Sequence, residues 1–455
     1  MSSYIAHPAY PVHPVLFLKM KRVAIIGGGP MGMEAALYGA CAGFEVRLYE
    51  RGRLAENVRQ WGHVGLFTEW GRNRSPLAAR LLKARGETLP PDEEYSSGAE
   101  LVSYMRKLAA LEPLQNRIFP QTKVLAITRE ACLRSDYIGQ SRRREYSFRL
   151  LLRDSQGTER IENFDAVFDA SGVYASPNWI GSGGAPCPGE LNCKDCIDYA
   201  LPDVMGKERA RFAGGSTLVV GSGHSAASTL LSVADLMDEF PTTKLVWVVR
   251  RNVPSHGAPF TLVPEETSTT RAKLHHRANA LVNHPNVRFL HSTVVEKIEH
   301  DGACFRVQVS APEIGEHWFE VDNIAGHTGF RADPELWQEL PVEIHPPTGA
   351  PRKLGEALNA HNKINGVGLS TGYAEKQPLK EAGETRDGAF DRWSFLINDP
   401  QLLQTGEPNF FVLGIKSYGR DAGFLMHNGF RQVRDVFKLL SGDDDLDLYE
   451  GALNS

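Results

Sequence analysis

Three glycines, Gly27, Gly29 and Gly32, follow the β-branched run Val23-Ala24-Ile25-Ile26 and fit G-x-G-x-x-G. Each has its own physical task. Gly27 allows a tight turn, Gly29 lets a pyrophosphate approach the backbone, and Gly32 lets a helix pack close to the strand. A small-residue helix pattern follows (Ala35, Ala36, Gly39, Ala40); its N-terminus offers N–H groups and a dipole to phosphates, with Pro30 and Met31 among the expected cofactor contacts. Glu50 closes the next apolar run, Val46 to Tyr49, 18 residues past Gly32, where a carboxylate bonds an adenosine ribose. Strand, glycines, helix, strand and acid in that order predict a dinucleotide cradle.

The pattern returns about 190 residues later. Ser216–Val220 reads as a strand, Gly221-Ser222-Gly223-His224-Ser225-Ala226 as the turn, Ala227 to about Glu239 as the helix, and Lys244–Val249 as the second strand. This strand ends in Arg250-Arg251 instead of an acid. A carboxylate there repels a ribose 2′-phosphate, whereas a guanidinium pairs with it bidentately. The first unit is therefore expected to hold an adenine dinucleotide with a free 2′-hydroxyl, and the second to hold NADPH. Recurrence within one chain argues against accident.

The chain that must position these residues has 455 residues, enough for two or three domains. A hydrophobic fraction of 42% with 23% charged residues reads as an ordinary globular protein. The formal net charge of −5 gives no electrostatic case for nucleic acid or an anionic membrane as partner. No apolar run approaches a bilayer span. The leader, residues 1–20, carries Pro8, Pro11 and Pro14 with only Val15–Leu18 apolar, so export is not expected and Met20 is an alternative start. Six cysteines in a chain this long fit a reducing cytoplasm.

Between the two cradles, Pro76 is expected to open a helix with Leu77, Leu81 and Leu82 inward. Ser97 is expected to cap another, Ala99–Leu111. Val124–Ile127, Tyr146–Leu152 and Ala166–Phe168 read as strands, the last running into Asp169-Ala170-Ser171-Gly172. Arg142-Arg143-Arg144 reads as a solvated hairpin tip. Ser176–Gly206, rich in glycine and proline, reads as a domain connector. Val287–Leu290, Val294–Ile298 and Phe305–Val309 are expected strands, followed by a glycine turn at Thr328-Gly329-Phe330-Arg331. Pro351–Phe395 reads as irregular. Asn409–Leu413 is an expected strand, Gly429 to Leu440 an expected helix, and Asp443-Asp444-Asp445 a frayed end.

An acid-terminated glycine turn followed by an arginine-terminated one resembles the two-dinucleotide-binding-domain flavoproteins. Within them the chain is similar to the flavin-containing and N-hydroxylating monooxygenases (class B flavoprotein monooxygenases) over nearly all of 21–442. The resemblance implies an α/β fold of two Rossmann-like domains, the NADPH domain inserted into a discontinuous FAD domain. The corresponding boundaries are FAD domain 21–200, NADPH domain 201–325, FAD domain and cavity wall 326–442, and acidic tail 443–455. It further implies FAD on Gly27–Glu50, with Arg51, Trp70, Val124, Gly172, Gly329 and Gly414 among the cofactor contacts.

That family often carries Asn-Thr-Ser-Lys shortly after the ribose acid, its asparagine beside the flavin. Arg72-Asn73-Arg74-Ser75 falls at a similar place, which marks Asn73 as the catalytic candidate. The family's His-Ser-x-x-Tyr segment corresponds to Asp195-Cys196-Ile197-Asp198-Tyr199, which keeps only the tyrosine. Gly414–Arg420 and the helix after it occupy the place where such proteins present a helix N-terminus to the isoalloxazine, so Lys416, Ser417, Tyr418 and Arg420 are expected to wall the substrate cavity. The implied activity is oxygenation of a small nitrogen or sulfur nucleophile by O2 through a flavin C4a-(hydro)peroxide. A homodimer is allowed and no metal is expected.

Cys193-Lys194-Asp195-Cys196, with Cys187 nearby, admits three readings. The first is a redox dithiol of thioredoxin-reductase type, the second a zinc site short of a fourth ligand, and the third reduced linker thiols. Against the dithiol, 24 residues lie between Cys196 and Gly221. His224 is expected to face the nicotinamide–phosphate region or solvent, and His63 to pack near the flavin loop. A flavin-bearing protein without turnover is the non-catalytic alternative.

Overall fold

The computed structural model describes residues 21–253, 257–260, 269–364 and 399–451. The leader 1–20, most of 351–395 and the last residues of the tail lie outside them. The described chain falls into two compact units, 21–173 with 332–364 and 399–451, and 174–331.

In the first unit five parallel strands lie in the order Phe410–Val412, Ala166–Asp169, Arg22–Ile26, Glu45–Tyr49, Ile118–Phe119. Helix Pro30–Cys41 follows the central strand and is buried over nearly its whole length, so its apolar residues form no single stripe. Close packing explains its small residues. A Cβ on Gly39 would stand 2.5 Å from the Phe437 ring of helix Met426–Ser441. Ser75 caps helix Pro76–Ala84, and Ser97 with Glu100 forms a capping box on helix Gly98–Ala109. Lys123–Arg129, Phe148–Arg153 and Glu159–Phe164 make an antiparallel sheet, the last strand lying beyond the expected set.

In the second unit four parallel strands run in the order Val287–Leu290, Lys244–Val248, Ser216–Val220, Asn323–Gly326. Helix His224–Ala234 begins three residues before the expected start. Val294–His300, Phe305–Ala311 and Gly315–Val321 form an antiparallel sheet in which the third strand was not expected.

Four expectations need correction. Residues 174–200 belong to the second unit, where the Asp198 N–H bonds Ile324 O at 2.9 Å. The boundary thus falls at 173/174 and not at 200/201, and the return falls at 331/332, which leaves Gly329 in the second unit. Arg143 is not at a solvated tip. It is 1% exposed and shares the buried Glu407 carboxylate with Arg129, each at 2.7 Å, while Arg142 and Arg144 are exposed. Arg352–Ile364 is a helix within the stretch read as irregular. Asp444 and Asp445 are exposed, but the chain just after them is docked and does not fray: Leu446, Leu448 and Tyr449 are buried, and the Tyr449 hydroxyl donates to Glu34 at 2.9 Å.

Candidate active site

The first cradle is built by exclusion. Gly27 has φ +105°, and a Cβ there would meet Ala170 O at 2.6 Å; one on Gly32 would meet Gly27 O at 1.9 Å. A Cβ on Gly29 would meet nothing within 4 Å. The first and third glycines are thus demanded by the protein's own backbone. The middle one borders open space, which fits a pyrophosphate. Gly29 is the N-cap and makes no side-chain bond to the helix, Pro30 is N1, and Met31 is buried. The cradle lies between the central strand Arg22–Ile26 and Ala166–Asp169, where the strand order reverses and such sheets bind ligands.

Glu50 is buried at the end of Glu45–Tyr49 and accepts the Gly28 N–H at 2.6 Å and the Gly52 N–H at 2.8 Å. Arg51 beside it is exposed. Thr122 N–H bonds Glu50 O at 2.9 Å, which brings the strand carrying the buried Val124 to this end of the cradle. Trp70 is buried edge-on to Tyr104, and Gly172, at φ +73°, follows the Asp169 turn.

Asn73 is 3% exposed and tied to Thr68 at both ends: its Oδ1 accepts the Thr68 hydroxyl at 2.7 Å and its Nδ2 donates to Thr68 O at 2.8 Å. Lys416 is 3% exposed. Its ammonium donates to Asp169 at 2.7 Å and to Ser171 Oγ at 3.0 Å, and the Trp337 indole N–H reaches the same Asp169 oxygen at 2.8 Å. Burial pushes the Asp169 carboxyl up, but the Lys416 charge and the Lys416 and Ser171 hydrogen bonds outweigh it and hold its pKa below the ordinary value. Sequence reading saw Asp169 only as part of a small-residue turn. An acid at the carboxyl end of a strand beside the switch point was the available signal.

Gly414, at φ +70°, donates to Gln432 Oε1 at 2.8 Å, Gln432 Nε2 donates to Ser417 Oγ at 2.8 Å, and Ser417 donates to Gly414 O at 2.7 Å. This ring fixes the 414–418 turn to helix Met426–Ser441. Tyr418 is fully buried beside the Asn428 amide, and burial raises its hydroxyl pKa with help from Asp421. Arg420 stands apart from that wall: its side chain is exposed and its backbone N–H bonds Thr348 O at 2.8 Å. His63 is exposed.

The second cradle repeats the backbone. Gly221 has φ +134°, and a Cβ there would meet His327 O at 2.3 Å, while Gly223 again borders open space. Ser225 is half-buried and Ala226, in the place of Gly32, fully buried. Arg250 is exposed just past strand Lys244–Val248, and Arg251 donates to Ala258 O at 3.2 Å. His224 does not point to solvent. Its Nδ1 lies 2.8 Å from Nε2 of His275, a residue no spacing in the sequence signals. Gly329 O accepts the Asn178 N–H at 2.9 Å.

The cysteines are all free. Glu190, fully buried, gathers the loop around them by accepting from Ile180 N, Gly181 N, Cys187 N and the Tyr199 hydroxyl. Cys193 is buried with its thiol on Gly189 O at 3.1 Å, and burial, with Cys196 nearby, pushes its pKa up. Burial likewise pushes Cys187 up to about 12. Cys196 is exposed. Among the described residues no three His, Cys, Asp or Glu side chains group as metal ligands, and no helix is long and apolar enough to cross a membrane.

Two Rossmann-type cradles in one chain, one ended by an acid and one by arginines, define a flavin- and pyridine-nucleotide-dependent oxidoreductase. The chain belongs to the pyridine nucleotide-disulphide oxidoreductase family, which it matches over residues 21–350. Among solved structures it is similar to bacillithiol disulfide reductase of Bacillus cereus (TM-score 0.64, 14% identity, 94% of this chain and 100% of that one). It is also similar to ornithine hydroxylase of Pseudomonas aeruginosa (TM-score 0.55, 15% identity, 93% and 99%). A third is thioredoxin reductase of T. acidophilum (TM-score 0.53, 13% identity, 92% and 99%). At such identities the likeness is one of fold. No curated protein sequence matches the chain.

Proposed function

We propose that the chain is an NADPH-dependent FAD monooxygenase that transfers one atom of O2 to the nitrogen or sulfur of a small nucleophilic compound. The observation that carries this reading is the buried polar wall at the carboxyl edge of the first sheet. Lys416, Ser417 and Tyr418 are each no more than 3% exposed, and Lys416 is fixed by Asp169. Oxygen transfer needs such a dry, preorganised polar surface, since water diverts the reaction. Bound FAD would supply the redox chemistry that links the hydride of NADPH to O2.

The chain's own residues do the rest. Gly27, Gly29 and Gly32 admit the flavin dinucleotide's phosphates, and Glu50 takes the ribose. Arg250 and Arg251 hold the 2′-phosphate of NADPH on the second cradle. Asn73 Nδ2 keeps one hydrogen beyond its bond to Thr68 with which to orient a reacting group. Lys416 and Tyr418 supply donors where negative charge develops.

One observation favours a second reading, an NADPH–disulfide oxidoreductase: Cys196 is exposed three residues after Cys193 in the second unit. The raised pKa of Cys193 speaks against it, because thiol exchange needs a thiolate. Purified holoenzyme, supplied with NADPH, labelled O2 and candidate amines or thioethers, separates the two. Labelled oxygen in the product supports oxygenation. NADPH oxidation that requires a disulfide and disappears in Cys196→Ser overturns it.

A further inference from the structure

Helix His224–Ala234 follows the second glycine turn, and its N1 residue is not free to swing. The His224 ring stacks on His275 with centroids 4.7 Å apart and planes 7° apart. His275 stacks on Phe260 at 5.1 Å and 14°, and Phe260 on Trp247 at 5.3 Å and 22°. The Trp247 indole N–H then donates to Gly221 O, in the glycine turn itself, at 2.9 Å. Asn279 pins Phe260 by bonding its N–H and its carbonyl, both at 2.8 Å. Four rings therefore form a closed brace between the turn and the first residue of its helix, and two of them are imidazoles joined by a 2.8 Å contact.

We propose that His224 and His275 are a proton-accepting part of the pyridine-nucleotide cradle, binding a proton as the nucleotide's phosphates arrive at the second glycine turn. The inference rests on placing the pyridine nucleotide in the second unit. His275 is 7% exposed, and its 2.8 Å contact with His224 is a hydrogen bond in which one ring donates and the other accepts, so the charge of an added proton is shared by the pair. A proton on the pair places a cation at the helix N-terminus, which the helix dipole opposes until an anion arrives. Arg271, on the helix of His275, faces both rings and also opposes it; burial and Arg271 lower His224 to about 3 and His275 to about 4. On the same helix Lys273, His276 and Arg277 are exposed, Arg277 pairing with Asp235 at 3.0 Å. Arg250, beyond the neighbouring strand, is exposed as well. Phosphate charge reverses the balance, so binding takes up a proton between the free and bound pKa values, and affinity rises as pH falls through that window.

The test is calorimetric titration of the oxidised holoenzyme with NADP+, at pH 6 and pH 8, in pairs of buffers that differ in ionisation heat. The nucleotide's own 2′-phosphate titrates near pH ~6 and contributes equally to every protein variant. Wild type is therefore compared with His275→Phe, which keeps the ring brace, and with His224→Gln. Wild type should take up measurably more of a proton than either variant at pH 6 and no more than they do at pH 8. NAD+, which lacks the titrating phosphate, should bind wild type severalfold more tightly at pH 6 than at pH 8. Equal proton counts in all three proteins overturn the inference while leaving nucleotide binding intact. Failure of both nucleotides to bind overturns the nucleotide assignment and the inference with it.

Discussion

Gly27–Gly32 and Gly221–Ala226 trace the same backbone turn beside the same switch in strand order, and their surroundings differ at three places. The strand after the first helix ends in Glu50, buried and bonded to Gly28; the strand after the second ends in Arg250, exposed, and Arg251, half-buried. The third glycine of the first turn, Gly32, touches Gly27 O, whereas the second turn accommodates Ala226. The helix after the first turn is enclosed by the docked C-terminal tail, and the helix after the second carries a braced histidine. Backbone alone makes a phosphate cradle. On the proposed reading, the charge at the strand end selects the dinucleotide that each cradle accepts.

The largest expected effect tests the third glycine. Gly32→Ala should prevent accumulation of flavin-loaded protein, read as the ratio of flavin to protein absorbance. Ala226→Gly should cost only about 1 kcal/mol in the second helix. Similar outcomes for both would show that the two turns are not built differently.

Next comes the carboxyl edge, where, among the described residues, only the first unit has a buried ion pair. Lys416→Met leaves the buried Asp169 carboxylate without its cation and should destabilise the protein by about 3–5 kcal/mol, measured by denaturant unfolding. Lys416→Met with Asp169→Asn should recover much of that loss. Because the folded carboxyl sits below its ordinary pKa, its contribution is present above the unfolded value and disappears as pH falls through the folded one. The double variant should therefore lose less stability on acidification than wild type.

Glu34 sharpens the contrast between helices, since the corresponding residue after the second turn is Ser228. Burial pushes Glu34 up to about 7, against hydrogen bonds from Ser75 and Tyr449. A carboxyl raised in the folded state costs nothing below pH 4 and weakens the fold as pH rises toward 7, by at most about 3 kcal/mol. Glu34→Gln should raise Tm at pH 8 and leave it nearly unchanged at pH 4.

The smallest effect concerns the strand ends. Arg250→Ala should raise KM for NADPH roughly tenfold or more, from the loss of about 1.5–3 kcal/mol of charged hydrogen bonding, and leave KM for NADH unchanged. Equal changes for both nucleotides would remove the 2′-phosphate from this strand end and undo the distinction between the cradles.

Local chemistry by itself determined much of this protein. Glycines that must lack a Cβ, the acid and arginines at two strand ends, the Pro76 helix start, the Ser97 cap and the parallel strands beside each turn were all legible, because each depends on neighbours within a few residues or on a fixed βαβ spacing. Tertiary structure alone decided what joins distant positions. Asp169 meets Lys416 and Trp337, His224 meets His275, Arg143 reaches Glu407, and the tail closes over Glu34. Those pairs span from about 50 to more than 400 residues, and no periodicity records them. A run of three arginines has the same sequence whether its middle member faces water or a buried carboxylate; only the packing around it chooses, since a buried charge persists solely where a partner has been brought to it.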